Sequence, residues 1–213
     1  MAARIDHGLL RPELLMVDVV AGCAIALEHH TVSVCCRPLD IATCARELAG
    51  TDVEVGTVIG FPHGSHHTDT KVDEARRALA DGAVELDMVI AIGRLRDGDT
   101  SYVEAEIRSI VAAADGRIVK VILENHFLTD DEKRLGCRIA EAAGADYVKT
   151  STGYAPTSAT VADVALMRAA VSPHVKVKAA GGIRTLADAL AMVAAGADRL
   201  GTSSTAAILA TLS

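Results

Sequence analysis

Short apolar runs alternate with longer amphipathic segments along the whole chain. The short runs are rich in Val, Ile and Leu, which is typical of buried strands, and the longer segments repeat their apolar positions with the 3.6-residue period of a helix. We therefore predict strands and helices in strict alternation. The predicted strands cover residues 5–7, 31–36, 53–59, 83–90, 117–123, 146–149, 175–178 and 198–201, and the predicted helices cover residues 12–30, 39–49, 69–81, 99–114, 130–143, 158–171, 185–195 and 203–212.

Glycines mark several of the predicted boundaries. Ala143-Gly-Ala145 and Ala195-Gly-Ala197 each combine a helix stop with the start of a strand. Strict alternation with short connections indicates a parallel sheet, and eight such units close naturally into a (β/α)8 (TIM) barrel. The rival fold is an open doubly wound sheet, which favours a Gly-x-Gly-x-x-Gly turn after its first strand, and the sequence has none there. We predict one α/β barrel domain over residues 1–213.

Composition narrows the class of protein. Half of the residues are hydrophobic but only 2% are aromatic, so Ala, Val, Leu and Ile must build the core. A formal net charge of -7 argues against a general binder of nucleic acid or of anionic membranes. The odd number of cysteines, five, lacks a metal-type spacing and indicates a reduced chain. Because there is neither a signal-peptide core nor a run of membrane-span length, we expect a cytoplasmic protein.

Polar side chains interrupt the predicted strands near their carboxyl ends, where the active sites of (β/α)8 barrels lie. Asp87 stands inside the apolar run Leu86–Ile90, and Lys149 and Lys178 end the sixth and seventh predicted strands. Because all strands of a barrel end around one mouth, we expect these three side chains to meet there. The same mouth is expected to receive Asp6, Cys35, Cys36 and Glu124.

Two neighbouring lysines favour a specific chemistry. Ammonium groups roughly 6 Å apart repel by about 2–3 kcal/mol at an effective dielectric of about 20, which lowers one pKa by about two units. A neutral lysine attacks a carbonyl to form an imine, which acts as an electron sink for C–C cleavage. Asp87 would move the protons. Two alternatives stay open from these residues alone: Lys149 extends to solvent, or Asp87 and both lysines form a structural ion-pair network.

Glycine-rich turns follow the last two predicted strands. The segment Ala179–Arg184 follows the seventh strand, and Gly201–Ser204 follows the eighth. Glycines let backbone N–H groups approach an anion, and Ser203-Ser204 open a helix whose N-terminus favours negative charge. The loops after these two strands are the usual phosphate site of the barrel, so we expect a phosphate here, with a plain turn as the alternative.

Several phrases carry a resemblance to one enzyme family over nearly the whole chain, from Ile5 to Ser204. Their order is also the order of that family, and the chain resembles the deoxyribose-phosphate aldolases. The phrases are Ile5-Asp-His7 with Leu9-Leu10, Val34-Cys35, Val55-Gly-Thr-Val-Ile-Gly-Phe-Pro-His-Gly64, Glu85-Leu-Asp-Met-Val-Ile90, Val148-Lys-Thr-Ser-Thr-Gly153, Val177-Lys-Ala179, Gly181-Gly-Ile-Arg184 and Gly201-Thr-Ser-Ser204.

The resemblance implies a class I (Schiff-base) aldolase with a (β/α)8 barrel. Its reaction is the reversible cleavage of 2-deoxy-D-ribose 5-phosphate to D-glyceraldehyde 3-phosphate and acetaldehyde, with no metal and no organic cofactor. Lys149 would form the imine, Lys178 would lower its pKa and Asp87 would shuttle protons. The resemblance and the motifs further imply substrate contacts by Asp6, Cys35, Thr150 and Thr152, and phosphate contacts by Gly181, Gly182, Gly201, Ser203 and Ser204.

The chain departs from the family pattern at a few positions. Gly8 stands where the family usually has threonine, and Ala180 replaces a serine, so two pocket hydroxyls are missing. The phrase Glu124-Asn-His126 differs from the usual Glu-Thr, and the sequence ends at Ser213 without the family's tyrosine-bearing tail. We expect these departures to change rate and substrate preference more than the type of reaction.

Two further clusters and two rival functions complete the sequence interpretation. His63, His66, His67 and Asp69 suggest a metal site, but their spacing matches no standard zinc signature, and we expect solvated side chains. The adjacent cysteines Cys35 and Cys36 could form only a strained disulfide, so we expect their side chains to pack in the core and to have no redox role. The rival functions are another lysine-dependent aldolase with a longer donor and a non-catalytic binder of phosphate ligands. The oligomeric state is not evident from the sequence, and a homodimer is kept open.

Overall fold

Eight parallel strands form one closed barrel, each paired with its neighbours in chain order and the first paired with the last. The computed structural model describes residues 1–210. The prediction of a single-domain (β/α)8 barrel is confirmed, and the open doubly wound sheet is excluded because Ile5 of the first strand pairs with Leu200 of the last. The strands are β1 Ile5–Leu9, β2 Ser33–Cys36, β3 Glu54–Ile59, β4 Glu85–Val89, β5 Ile118–Ile122, β6 Tyr147–Lys149, β7 Lys176–Ala180 and β8 Arg199–Thr202.

Helices alternate with the strands and surround the barrel. Short 3-10 turns also occur at Ala2–Arg4, Pro38–Asp40 and Asn125–Phe127. The helices are α1 Met16–Glu28, α2 Ile41–Glu47, α3 Thr68–Ala80, α4 Ile92–Arg96, α5 Thr100–Ala113, α6 Asp130–Ala142, α7 Val161–Ala170, α8 Leu186–Ala194 and α9 Thr205–Leu209. Within residues 1–210, none of them combines the length and the apolar character that a bilayer crossing requires.

Two helices begin later than predicted, for local reasons. The first starts at Met16 and not at Pro12, because the side chain of Asp18 accepts a hydrogen bond from the backbone N–H of Leu15 and caps the helix there. The seventh starts at Val161, where the hydroxyl of Thr160 accepts from the N–H of Asp163. Both changes lengthen a loop on the side of the barrel where the strands end.

Three further boundaries differ from the prediction. The short helix α4 was missed because its five residues are too few to show a helical period. Strand β7 continues to Ala180, so Lys178 lies inside the strand and not at its end. Residues 211 and 212 of the predicted last helix lie outside the described part of the chain.

The core between barrel and helices is built from small aliphatic side chains, as the composition predicts. Close packing requires a glycine where α1 crosses β1: a Cβ on Gly22 would lie 2.3 Å from a methyl group of Leu9. A buried ion pair ties α3 to α5 outside the barrel, with Lys71 Nζ 2.6 Å from Glu106 Oε1. The same ammonium donates to the carbonyl of Val89, so this pair also fixes the end of β4.

The inside of the barrel is charged where side chains from neighbouring strands meet. Asp87 pairs in register with Lys120, Lys149 pairs with Lys178, and Lys178 pairs with Arg199. Side chains alternate along a strand, so residues paired in this way face the same side of the sheet. The interior charge cluster comprises Asp6, Glu85, Asp87, Lys120, Lys149, Lys178 and Arg199.

Candidate active site

A cavity of about 600 Å³ opens at the mouth of the barrel where the strands end. Its walls come from the loops after β1, β6, β7 and β8. The floor is formed by groups inside the barrel, so the cavity connects the solvent with the interior charge cluster. Of the predicted site residues, it is lined by Asp6, Cys35, Lys149, Lys178, Thr152, Gly181, Gly182, Gly201, Ser203 and Ser204.

Lys149 and Lys178 meet at one carboxylate oxygen. Each ammonium nitrogen lies 2.6 Å from Oδ2 of Asp87. Both lysines line the cavity, although each is nearly fully buried. The predicted convergence of these three side chains is therefore present in the fold.

The two lysines have opposite pKa shifts because their partners differ. Burial lowers the pKa of Lys149, and Lys178 lowers it further. Asp87 raises this pKa but does not outweigh the other two effects. Burial also disfavours the charged form of Lys178, but Asp6 and Asp87 outweigh burial and raise its pKa well above the usual range. Lys178 lies 2.5 Å from Asp6 as well as against Asp87. The structure thus singles out Lys149 as the amine that loses its proton first, with burial ahead of its lysine neighbour as the cause.

Three members of the interior charge cluster were not predicted. Lys120 lies 2.6 Å from Glu85 and 2.9 Å from Asp87, and Arg199 lies 2.6 Å from Asp6. A signal for Lys120 was present in the sequence, because this lysine interrupts an apolar strand just as Asp87 does. Glu85 gave the same signal, since it stands between Val84 and Leu86 in the predicted strand, whereas Arg199 follows Asp198 at the start of its strand and gave none.

The charges of the cluster balance only when one amine is neutral. It holds three carboxylates, Asp6, Glu85 and Asp87, and four basic groups, among them Lys149. Burial raises the pKa of Asp87, but Lys120, Lys149 and Lys178 outweigh it and hold that pKa well below its usual range, so the carboxylate stays ionised. A buried cluster with no excess charge avoids a large desolvation cost, which favours the neutral form of one base. The direction of each lysine's pKa shift assigns that form to Lys149.

Asp87 and Thr150 do not line the cavity, in contrast to the other predicted contacts. Asp87 is fully buried beneath the two lysines. The hydroxyl of Thr150 accepts from the N–H of Ala180 at 3.1 Å and donates to its carbonyl oxygen, so it ties β6 to β7. Thr150 thus forms a structural link that holds Lys149 beside Lys178, and the substrate contact expected of it stays a prediction.

Thr152 lines the cavity through an arrangement that depends on Glu124. The hydroxyl of Thr152 donates to Oε2 of Glu124, which also accepts from the N–H of Thr152 at 3.1 Å. Glu124 adopts a left-handed backbone conformation directly after β5, with φ 56°. This carboxylate fixes the loop that follows Lys149.

Cys35 and Asp6 occupy the floor of the cavity beside the lysines. Burial raises the pKa of the Cys35 thiol, so the sulfur stays protonated. Asp6 is held by a hydrogen bond from Ser33 and an ion pair with Arg199. The neighbouring thiol of Cys36 donates to the carbonyl of Gly56 at 3.6 Å.

The glycine turn after β7 forms one wall of the cavity and requires glycine. Gly181 and Gly182 have φ values of 86° and 76°, in the left-handed region. A Cβ on Gly182 would lie 2.9 Å from Cβ of Ser158. Within residues 1–210, the backbone N–H groups of Gly181, Gly182 and Ser203 make no hydrogen bond to the protein. This leaves a set of donors at the cavity wall that suits an anion.

The rim carries residues that the sequence interpretation left without a role. Arg11 and Arg184 line the cavity and are exposed; Arg11 is paired with Glu13, which lines the same cavity, and Arg184 adds a positive charge next to the glycine turn. Tyr154 joins two loops across the mouth: its hydroxyl donates to the carbonyl of Leu10 at 2.7 Å, and its ring packs edge-on against Phe61.

Both positions where a family hydroxyl is missing face the cavity. A Cβ on Gly8 would make only ordinary contacts, the shortest being 3.6 Å to the carbonyl oxygen of Thr202. A Cβ would therefore fit there, and its absence leaves additional space in the cavity.

His63, His66 and His67 line a separate, smaller cavity of about 360 Å³ together with Arg94 and Tyr102. Over residues 1–210, no three side chains of His, Cys, Asp or Glu are arranged to hold a metal ion. The histidines are exposed and lie apart from the interior charge cluster.

A family model, curated relatives and solved structures all relate this chain to one family of aldolases. The family model described as DeoC/LacD family aldolase matches residues 1–210. The deoxyribose-phosphate aldolase of Bacillus cytotoxicus is 49% identical over 210 residues, which cover 98% of this chain and 94% of that protein. Deoxyribose-phosphate aldolase 1 of Bacillus licheniformis is 50% identical with the same coverage. The tetrameric deoxyribose phosphate aldolase of Aeropyrum pernix superimposes with a TM-score of 0.90 at 35% identity, covering 99% of this chain and 90% of that one.

Proposed function

The chain belongs to the DeoC/LacD family of aldolases, and from this we propose that it is a Schiff-base aldolase acting reversibly on 2-deoxy-D-ribose 5-phosphate. The products are D-glyceraldehyde 3-phosphate and acetaldehyde. The observation that carries the proposal is the cavity-lining amine of Lys149, whose pKa is lowered by burial and which lies 2.6 Å from a carboxylate. A lowered pKa makes the neutral, nucleophilic form of the amine more accessible.

The reaction follows from the position of this amine. Neutral Lys149 attacks the C1 aldehyde of the open-chain sugar, and loss of water gives an iminium ion. Removal of the C3 hydroxyl proton then breaks the C2–C3 bond, and its electrons pass to the iminium to form an enamine. Glyceraldehyde 3-phosphate leaves, the enamine is protonated at C2, and water releases acetaldehyde and the free amine.

Protons are moved by the groups around Lys149. Asp87 lies beneath the cavity and the two lysines, so a proton passes between it and the substrate through a water molecule. Lys178 stays charged throughout, because Asp6 and Asp87 both hold it. Asp6 and Cys35 border the reacting carbons, and Thr152 lines the wall next to Lys149.

We assign the phosphate to the opposite wall. Gly181, Gly182 and Ser203 present backbone N–H groups that have no protein acceptor within residues 1–210. Gly201 keeps the approach open, since a Cβ there would lie 3.1 Å from Cβ of Ala180 and 3.3 Å from Cε of Lys178. Ser204 completes the wall, and Arg184 at the rim adds a positive charge. No metal or organic cofactor takes part in this scheme.

Reductive trapping tests the function. Wild-type protein treated with acetaldehyde and borohydride should gain one ethyl group on Lys149, and Lys149→Ala should gain none and lose retro-aldol activity. Lys176→Ala, which changes an exposed lysine two residues from Lys178, serves as the control and should trap like wild type. Trapping of Lys149→Ala as efficiently as wild type would overturn the assignment.

A wider donor range is the second candidate function, and the space at Gly8 and Ala180 favours it. A donor screen with acetaldehyde, propanal and acetone as donors separates the two. Preference for a longer donor over acetaldehyde would make this chain a different lysine-dependent aldolase on the same barrel.

The phosphate wall gives a separate prediction. Gly182→Ala should raise the KM for 2-deoxyribose 5-phosphate about 10- to 100-fold, because the new Cβ clashes with Ser158 and moves N–H donors that bind a charged group. The kcat/KM for unphosphorylated 2-deoxyribose should stay within about twofold of wild type. Gly93→Ala is the control, since a Cβ there meets no atom within 4 Å. An equal loss for both sugars would place the phosphate elsewhere.

Cellular location and assembly complete the proposal. We propose a cytoplasmic enzyme in which residues 1–213 form a single catalytic domain. A homodimer is the assembly we test first, against the tetramer described for the Aeropyrum pernix protein. Light scattering coupled to size-exclusion chromatography distinguishes these from a monomer.

A further inference from the structure

Glu85 and Arg199 form a buried pair deep inside the barrel. Nη2 of Arg199 lies 3.3 Å from Oε1 of Glu85, and Nη1 donates to Oε2 at 3.4 Å. Neither residue lines the cavity or reaches the place where a substrate would sit. A buried ion pair is weak evidence of stabilisation by itself, because desolvation offsets much of the Coulomb attraction. Its contacts point to another role.

Each member of the pair is linked to a different acid next to the reacting lysines, Arg199 directly and Glu85 through Lys120. Arg199 donates to Oδ1 of Asp6 at 2.6 Å, and Asp6 in turn holds Lys178 at 2.5 Å. Glu85 accepts from Lys120 at 2.6 Å, and Lys120 donates to Oδ1 of Asp87 at 2.9 Å. Two chains of contacts therefore lead from the pair to the groups that surround the amine of Lys149.

We propose that Glu85 and Arg199 are positioning residues that set the charge state of Lys149 through Asp6 and Asp87. The inference rests on the proposed function and names two residues that regulate the same site. Glu85 competes with Asp87 for the ammonium of Lys120, and Arg199 competes with Lys178 for the carboxylate of Asp6. The pair thus determines how strongly the carboxylates of Asp6 and Asp87 interact with Lys149 and Lys178.

The groups facing Lys149 account for the sign of each change. Asp87 on β4, Lys178 on β7 and Cys35 on β2 lie nearest, with Asp6 and Lys120 behind them. Strand β3 contributes only uncharged inward positions, Gly56 and Val58, by its register with β4. The cluster is neutral when Lys149 is neutral, so removing a negative charge opposes protonation of Lys149, and removing a positive charge favours it.

Opposite shifts from two neighbouring variants are the expected result. Glu85→Gln should lower, and Arg199→Met should raise, the pH midpoint for reductive trapping of Lys149, each by about one unit. The double variant Glu85→Gln/Arg199→Met restores the charge balance and should return the midpoint close to wild type. Tyr147→Phe removes a 3.4 Å contact to Arg199 without changing charge, and its midpoint should not move.

The outcomes separate this inference from the proposed function. If wild-type protein is not trapped on Lys149 at all, the proposed function fails. If trapping occurs on Lys149 but both single variants keep the wild-type midpoint, or shift it in the same direction, Glu85 and Arg199 are structural only. Should Arg199→Met not fold, Arg199→Lys replaces it: Lys keeps the charge, so the inference requires a wild-type midpoint, and a raised midpoint would overturn it.

Discussion

Asp87→Asn is expected to lower the rate of retro-aldol turnover about 10²- to 10⁴-fold while leaving Lys149 able to form a trapped adduct. In wild type, one carboxylate accepts hydrogen bonds from Lys120, Lys149 and Lys178. The amide cannot accept a proton at neutral pH, so transfer to and from the substrate is lost. Removing this negative charge also opposes protonation of Lys149, and the supply of neutral amine therefore does not limit the variant.

Comparing trapping with turnover in the same preparation checks this prediction. A steady-state assay of deoxyribose phosphate cleavage should show the loss, and mass spectrometry after long incubation with acetaldehyde and borohydride should still find the adduct. Lys120, Lys149 and Lys178 lose their shared anionic partner, which costs about 3–5 kcal/mol of stability, so a thermal unfolding curve accompanies each assay. The matched control is Glu104→Gln, which removes a carboxylate from an exposed ion pair with Arg108 on one helix. Turnover within tenfold of wild type in folded Asp87→Asn would exclude Asp87 as the proton carrier.

The fold was predictable because its signal is distributed over the whole chain. Alternating apolar runs and helical periods define the barrel even though the individual boundaries shift, as at Met16 and Val161. Those two shifts depend on capping by Asp18 and Thr160, which is a local competition that periodicity does not describe. Helix α4 is short enough to leave no period at all.

The site was predictable only where a residue broke a pattern. Asp87 and Lys149 stand out against apolar strands, and the structure brings both together with Lys178. Arg199 begins its strand next to Asp198, so a surface position was the simpler expectation, whereas Glu85 stands between Val84 and Leu86 and its signal was overlooked. Only closure of the barrel, which pairs β8 with β1, places Arg199 against Asp6. Thr150 shows the opposite case: its place in a motif predicted a substrate contact, but its hydroxyl accepts a hydrogen bond from the backbone N–H of Ala180.

Of the two alternatives left open for the lysines, the ion-pair network is present, whereas Lys149 is buried and does not extend to solvent. Asp87 does belong to an ion-pair network, and that same network contains one more basic group than it has acids. A balanced network would hold every lysine charged and give no nucleophile. The excess base is what makes an ion-pair network compatible with imine chemistry, and it is Lys149 because Lys178 has two acid partners.

Lys178→Leu tests this directly and is expected to move the acidic limb of the pH–rate profile upward by about two units, with a loss of about 100-fold at pH 7. The substitution leaves Asp6 and Asp87 with one cation fewer, and Lys149 takes up a proton to replace it. Activity requires the neutral amine, so it rises only as the pH passes the new pKa. In wild type we expect a bell whose alkaline limb lies above pH 9, because the two acids raise the pKa of Lys178.

The measurement is kcat/KM for 2-deoxyribose 5-phosphate between pH 5 and 10, together with the trapping midpoint of Lys149. Lys176→Leu, two residues along β7 and exposed, is the matched control and should keep the wild-type profile. If the acidic limb of the pH–rate profile and the trapping midpoint move together, the effect arises from the amine of Lys149. A loss of packing would instead lower the rate equally at every pH. An unchanged acidic limb in folded Lys178→Leu would contradict a lysine pair in which one cation keeps its neighbour neutral. A wild-type profile that is flat from pH 6 to 9, with chemistry limiting the rate, would contradict it too.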